Sequence, residues 1–227
     1  MDGAAARSVD TRPTAESIEA FIRAETAPGR APLVPEIALH LACDAREIFS
    51  AADVFMSSGL GARPYWAFAW PGGQGLARYV LDNPSIVAGR RVLDIGSGSA
   101  IGAIAALKAG AAVATAADID PLAVVVARMN AALNDVELIC ESKDLLGMPA
   151  DADVVLVGDL VYEPELQIRV GAFLAEAAAR GVRVLYGDRT TARRPSIPLR
   201  ELAEYEAPLE PALMEDFIER ARVWEPR

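Results

Sequence analysis

The residues best placed to do chemistry are acids standing where strands of an alternating α/β chain should end. The first opens the run Asp94-Ile95-Gly96-Ser97-Gly98-Ser99-Ala100-Ile101-Gly102. Glycines between a strand and a helix let the backbone turn sharply and let a ligand approach the amide groups. Such a glycine run serves dinucleotides and methyl donors alike. Asp94 discriminates between them, because its carboxylate stands at the strand end, in the mouth of the loop. A pyrophosphate there would meet a like charge, whereas a donor carrying an ammonium and a sulfonium would be attracted. The loop therefore favours S-adenosylmethionine, with Asp94, Gly96, Ser97 and Gly98 around it.

Three more acids follow, each at or just after the end of an expected strand. Asp118, in Ala117-Asp118-Ile119-Asp120-Pro121, lies about twenty residues after the loop, where a carboxylate can accept both ribose hydroxyls; Ile119 would pack on the adenine face. Asp120, directly before Pro121, suits the cap of the next helix better. Asp144, in Lys143-Asp144-Leu145, can accept a hydrogen bond from the adenine amine. Asp159, in Gly158-Asp159-Leu160-Val161-Tyr162-Glu163, can orient an incoming amine, with Tyr162 lining its channel. Ligands of open α/β sheets bind outside the carboxyl ends of strands, near the switch point, so Asp94 and Asp159 should face one crevice. The segment Pro64-Tyr65-Trp66-Ala67-Phe68-Ala69-Trp70-Pro71-Gly72-Gly73 concentrates aromatic rings. Trp66, Phe68 and Trp70 are candidates for the channel and for packing near a sulfonium; the bland alternative is a plug that fixes an N-terminal extension onto the core.

The elements that must position these residues can be read from the same chain. Strands are expected at Val92–Ile95, Ala111–Ala117, Val136–Cys140, Val154–Val157 and Val182–Tyr186, with helices over Ile101–Lys108, Pro121–Leu133 and Glu163–Arg180 between them. That rhythm argues a parallel sheet covered on both faces. Two further extended stretches, near Leu202–Glu206 and Arg222–Trp224, make seven strands of a doubly wound, Rossmann-like α/β fold. A helix is expected from Gln74 to Asp82. Before Pro64 the rhythm is missing. Thr14 caps a helix to about Ala24, Pro28 to Pro35 make an irregular connection, and short helices are expected over Glu36–Ala42 and Ala45–Ala51. The division is thus an N-terminal helical extension, residues 1–63, and a donor-binding domain, residues 64–227.

Composition narrows the classes. The chain has 227 residues, 52% of them hydrophobic, and a formal net charge of −10. The charge repels phosphates, which weighs against nucleic acid as a partner. No apolar run approaches the ~20 residues that span a bilayer. The acidic N-terminal stretch, with Asp2, Asp10, Glu16 and Glu19, is the wrong flank for a secretory or mitochondrial leader, so a cytoplasmic location is expected. Two cysteines without a CxxC, and a single histidine, His40, argue against a metal site. His40 is expected on a half-buried helix face.

The run from Pro64 through Glu163 resembles the seven-β-strand lysine methyltransferases, and within them the electron-transfer flavoprotein β-subunit lysine methyltransferases and their bacterial relatives. The carrying residues are Pro64-Tyr65-Trp66-Ala67-Phe68, Trp70-Pro71-Gly72-Gly73-Gln74, Arg78-Tyr79-Val80-Leu81-Asp82-Asn83-Pro84, Val92 to Gly98, Asp118-Ile119-Asp120-Pro121 and Gly158-Asp159-Leu160-Val161-Tyr162. Pro32 to Ile37 and Gly187-Asp188 fit as well. Ala100 departs from the family pattern, which has a third close glycine there. The resemblance implies methyl transfer from S-adenosylmethionine to a lysine of the flavoprotein β-subunit, with Asp159 and Tyr162 as catalytic residues. Trp66, Phe68 and Tyr162 would bind the substrate; Trp70 and Asp159 would join Asp94, Asp118, Ile119 and Asp144 around the donor. A small-molecule N-methyltransferase of nicotinamide or amine type shares every donor residue and stands as the alternative. A dehydrogenase would need catalytic residues that are not found, and a noncatalytic module has no use for Asp159-x-x-Tyr162.

Overall fold

The computed structural model describes residues 13–55, 63–189, 193–208 and 218–227. Residues 1–12, on which the reading of the leader partly rests, lie outside them.

Helix α1 (Ala15–Glu25) starts at Thr14, whose hydroxyl accepts the Ser17 N–H at 3.2 Å, and buries Ile18 and Ile22. The next elements differ from expectation. Residues 26–42 form an antiparallel hairpin, β1 (Thr26–Ala31) and β2 (Val34–Ala42), where an irregular connection and a helix over Glu36–Ala42 were expected. The extension is therefore not wholly helical. The physical reason is twofold. Ile37, Leu39 and Leu41 recur at a spacing of two, the period of a strand. The free edge of β2 is also satisfied from afar: the Asn134 side chain accepts from Ala38 N at 3.0 Å and donates to Ala38 O at 2.6 Å, and Asn130 accepts from His40 N at 2.7 Å. His40 thus sits on a strand, buried, with its Nδ1 3.2 Å from the Thr26 hydroxyl; burial pushes its pKa down. Helix α2 (Ala45–Phe55) follows, its first amides held by Asp44.

A short 3-10 turn at Tyr65–Ala67 leads into α3 (Pro71–Asp82). Then come β3 (Arg91–Ile95), α4 (Ile101–Lys108), β4 (Val113–Asp118), α5 (Pro121–Leu133), β5 (Ile139–Ser142), β6 (Val154–Gly158), α6 (Pro164–Ala179), β7 (Arg183–Arg189), β8 (Leu199–Pro208) and β9 (Ile218–Pro226). The strand order is β5-β4-β3-β6-β7-β9-β8: a seven-stranded sheet, parallel from β5 to β7 and completed by the antiparallel β8–β9 pair. The doubly wound fold is as expected. Helices α4 and α5 have the expected bounds, and the third expected strand is displaced to Ile139–Ser142.

Alternation along the strands sends side chains to two cores. Val92, Val154, Leu156, Leu185 and Val223 face α3, α4 and α5, with Val34, Ile37 and Leu39 of the hairpin in the same cluster. Leu93, Ile95, Val155, Val157, Val184 and Tyr186 face α6. Alanines 103, 105 and 106, fully buried, let α4 close on the sheet. Among the described residues no helix is long and apolar enough to cross a membrane.

Candidate active site at the carboxyl ends of the strands

The glycine loop joins β3 to α4. Gly96 and Gly98 have φ of +62° and +48°, and Ala100, the N-cap of α4, has φ +61°. The last is a left-handed residue that carries a Cβ, at the position where the resemblance calls for glycine. The amides of Gly96 and Ser97 donate to Ala117 O on β4, which sets the loop between the two strand ends.

Asp94 ends β3 almost fully buried, its Oδ2 accepting from Ala103 N of α4 at 2.9 Å. Burial first, and the nearby Asp118 charge, push its pKa up to about 7 against that hydrogen bond. Asp118, at the end of β4, accepts from Gly98 N at 2.9 Å and from Asp120 N at 3.0 Å. Burial raises its pKa as well, opposed by these amides. Asp120 caps α5, accepting from Leu122 N at 2.8 Å, as its place before Pro121 suggested. Ile119 stands beside them 68% exposed. A buried and a half-buried carboxyl group, held among the described residues by backbone amides at the edge of the glycine loop, fit a ligand that brings a cation and hydroxyl donors.

Asp144 is turned elsewhere. Its Oδ2 pairs with Arg169 of α6 at 2.7 Å and its Oδ1 accepts from Leu146 N at 3.0 Å. Contact with an adenine amine would have to share this carboxylate with Arg169.

Asp159 follows β6 in the left-handed region, φ +51°, a conformation that aspartate tolerates better than most residues. Its backbone N–H donates to Gly187 O at 2.9 Å, and its Oδ2 accepts from Gly73 N at 2.7 Å. The amino end of α3 thus sits directly on the ends of β6 and β7. A Cβ on Gly72 would lie 2.6 Å from Asp188 Cα and from Gly187 O, and one on Gly187 would lie 2.5 Å from Gly72 O. The Pro-Gly-Gly of the sequence is a seat of backbone on backbone.

The aromatic segment divides. Trp66 and Phe68, expected in the substrate channel, are each 1% exposed and pack with Ile22, Ile48, Leu122 and Val126. They are the plug between the N-terminal helices and α5, a correction to the channel reading, because their rings fill a core already lined by apolar helix faces. The accessible rings are Tyr65, 38% exposed, and Tyr162, 49% exposed, with centroids 5.5 Å apart. Trp70, half-buried, packs on Tyr65 and donates from Nε1 to Tyr65 O at 2.9 Å. Burial, then the Glu163 and Asp118 charges, raise the pKa of Tyr162.

Several residues of this region carried no role in the sequence reading. Gln74, fully buried, accepts from Leu33 N and donates to Ala69 O, tying the hairpin turn to α3. Asn130 joins His40 N to Ser99 O of the glycine loop. Asp188 and Tyr186, on β7, lie against Asp159, and the Tyr186 hydroxyl donates to Asp188. An acid at the carboxyl end of the strand next to β6 was the available signal for Asp188.

Comparison with known proteins places this geometry. Residues 78–162 match the family model described as ribosomal protein L11 methyltransferase (PrmA). The chain is 37% identical over 201 residues to the electron transfer flavoprotein β-subunit lysine methyltransferase of Xenopus laevis, covering 86% of this chain and 80% of that protein. It is 40% identical over 159 residues to the protein of the same name from Danio rerio, covering 69% of this chain and 60% of that protein. Among solved structures, magnesium protoporphyrin IX methyltransferase from Synechocystis PCC 6803, solved with bound S-adenosylmethionine, superposes with a TM-score of 0.50 at 12% identity. It covers 79% of this chain and 84% of that one, a likeness of fold alone.

Proposed function

The chain belongs to the electron transfer flavoprotein β-subunit lysine methyltransferase family, and from that premise we propose that it methylates a lysine amine of such a β-subunit. S-adenosylmethionine is the methyl donor. The observation that carries the reading is the meeting of Trp70-Pro71-Gly72-Gly73 with Asp159-x-x-Tyr162, Gly73 N to Asp159 Oδ2 at 2.7 Å. Both segments belong to the resemblance with lysine methyltransferases, and Gly73 lies beside Ile101, the first residue of α4 after the glycine loop.

The donor supplies a methyl group activated by a positive sulfonium. Asp94 would hold its cationic end, the Gly96–Gly98 turn would give it room to approach, Asp118 would take the ribose hydroxyls, and Ile119 one face of the adenine. Asp144 would reach the adenine edge while it stays paired with Arg169. For the acceptor the difficulty is charge. A lysine with a pKa near 10.4 needs roughly 4 to 5 kcal/mol to be neutral at pH 7. Tyr65, Trp70 and Tyr162 frame an entrance that would strip water from the amine and lower its pKa. Asp159 would accept an amine N–H and aim the lone pair, so that positioning and desolvation carry most of the rate. The net charge of −10 favours a protein acceptor over nucleic acid.

The test is transfer of labelled methyl from S-adenosylmethionine into purified electron transfer flavoprotein, with a β-subunit Lys→Arg series as control. Label in the β-subunit, lost in one Lys→Arg protein, is the expected result. Label absent from the protein, with methylated products from a panel of small amines, would overturn it.

A further inference from the structure

Asp159 has an acidic neighbour across the sheet. Asp188, 2% exposed, lies at the end of β7, next across the sheet from Asp159, whose N–H donates to Gly187 O at 2.9 Å, and the two acidic side chains lie against each other. Two carboxyl groups set against each other, Asp188 buried and Asp159 half-buried, are not both ionised, because nothing then stands between the two but repulsion. One proton must lie between them, and the surroundings decide who carries it. Asp188 receives two donors of its own, the Tyr186 hydroxyl and Arg189 N at 2.8 Å. Both favour its ionised form. Tyr186 is fully buried and has no other partner for its hydroxyl among the described residues. Asp159 accepts the Gly73 amide on Oδ2 at 2.7 Å and lies beside the Gly72 amide, so both acids receive backbone N–H groups and the Tyr186 hydroxyl is the donor that favours Asp188 as the ionised partner.

We propose that Asp159 is held as a neutral carboxylic acid by Asp188, which acts as a positioning residue: it takes the Asp159 proton in a hydrogen bond and leaves the carboxyl group facing the crevice uncharged. The consequence follows from what methyl transfer needs. An ionised Asp159 would stabilise the ammonium form of the incoming lysine and raise its pKa, which holds the nucleophile in its unreactive state. A neutral Asp159 whose proton is turned to Asp188 still accepts an N–H from the amine without that penalty. Among the described residues the charged groups around the pair are few. They are Arg189 beside Asp188 and Arg194, which lies over the Trp224 ring and acts on Tyr186, while α3 contributes only the Gly72 and Gly73 amides. The pKa directions agree. Burial and the Asp188 charge hold Asp159 well above the carboxylate range, and Asp188 is pushed up only to about 6, with the Tyr186 hydroxyl lowering it.

The role proposed for Asp188 rests on the lysine-methyltransferase reading for its consequence, so the test has one arm that does not. Infrared difference spectra of the full chain are recorded against Asp159→Asn across pH; Asp94 is common to both proteins and cancels. The expected result is the C=O stretch of a protonated carboxyl group in the wild type at pH 7.5, vanishing at lower pH in Asp188→Asn than in the wild type. No band at pH 7.5, or the same titration in Asp188→Asn, would overturn the proposal whatever the substrate is. The second arm is kinetic. Asn is close to a protonated Asp in shape and tolerates φ +51°, so Asp159→Asn should keep methyl transfer within about tenfold of wild type, whereas Asp159→Ala, which removes the acceptor, should lose a hundredfold or more. A folded Asp159→Asn as inactive as Asp159→Ala would show that the charge is needed and sink the neutral acid. If the wild type itself methylates no lysine, the function proposed above has failed, and the infrared arm still decides the state of the pair.

Discussion

Two adjacent glycines should respond oppositely to the same substitution. In Gly72→Ala the new Cβ would lie 2.6 Å from Asp188 Cα and Gly187 O and 2.7 Å from Asp188 N. All three are backbone atoms of β7 and cannot rotate away. Carbon atoms settle at about 3.5 to 4 Å, so α3 must retreat by roughly 1 Å. Alanine gains about 0.5 to 1 kcal/mol over glycine inside a helix, and overpacking costs about 1 to 3 kcal/mol. A net loss near 1 to 2 kcal/mol lowers Tm by about 2 to 8 °C for a chain of this size. In Gly73→Ala the nearest atom is the tip of Ile101, Cγ2 at 3.3 Å, and Asp159 Oδ2 is 3.8 Å away. A methyl group can yield there, so the helix gain survives and Tm should hold or rise by about 2 °C. Retreat of α3 also stretches the 2.7 Å bond from Gly73 N to Asp159, so Gly72→Ala should lose about a hundredfold in methyl transfer. Scanning calorimetry of both variants, beside labelled-methyl assays, reads each quantity. A Gly72→Ala that melts with the wild type, or a Gly73→Ala as unstable as Gly72→Ala, would refute the backbone-on-backbone seat.

Four further substitutions probe the donor loop, its acid and the aromatic rings. Ala100→Gly should raise Tm by about 2 to 4 °C, because a left-handed Cβ costs about 1 to 2 kcal/mol and the lost methyl returns less than 1; thermal melts check it, and a lower Tm refutes it. Asp94 has its folded pKa raised to about 7, so the stability linked to its proton is complete below pH ~4 and is lost as pH rises through 7, by up to about 4 kcal/mol. Asp94→Asn removes that slope. Without donor, its Tm should gain on the wild type between pH 5 and pH 8, and parallel profiles would contradict the buried unpaired acid. Trp66→Ala should cost about 3 to 5 kcal/mol by urea unfolding, while Tyr162→Ala should leave the midpoint unchanged and slow methyl transfer; the reverse pattern would restore Trp66 to the channel.

The legibility of these features in sequence follows their range. Helix α5 carries its own cap, Asp120 before Pro121, and α4 is an apolar run bounded by the glycine loop and Gly110, so both were readable to the residue. Acids at strand ends were readable because strand and acid are contiguous, as at Asp94 and Asp118. The hairpin was not. Pro28, Gly29 and Pro35 speak for disorder of the local ladder, and the amides that complete the edge of β2 come from Asn130 and Asn134, about ninety residues onward. The aromatic segment announced a cluster but not its orientation, since only the third dimension says which rings meet α1 and α5. The ion pair of Asp144 was hidden for the same reason, its partner Arg169 standing on α6, 25 residues onward. Asp188 was visible as an acid after a strand, yet its meaning depends on Asp159 next to it across the sheet.

Asn130 has consequences for how this protein can be recombined with its relatives. Its side chain is fully buried and both its ends are engaged, Oδ1 by His40 N at 2.7 Å and Nδ2 on Ser99 O at 2.9 Å. One amide therefore belongs at once to the strand near the beginning of the chain and to the loop in the middle. An aspartate would leave the Ser99 carbonyl without its donor, and a leucine would abandon both ends to a dry interior. A hybrid gene with its crossover between Ala42 and Asn130 splits this arrangement between two parents. It will fold well only where both supply the same chemistry, and the safer crossovers leave residues 38–40, 99 and 130–134 to a single parent.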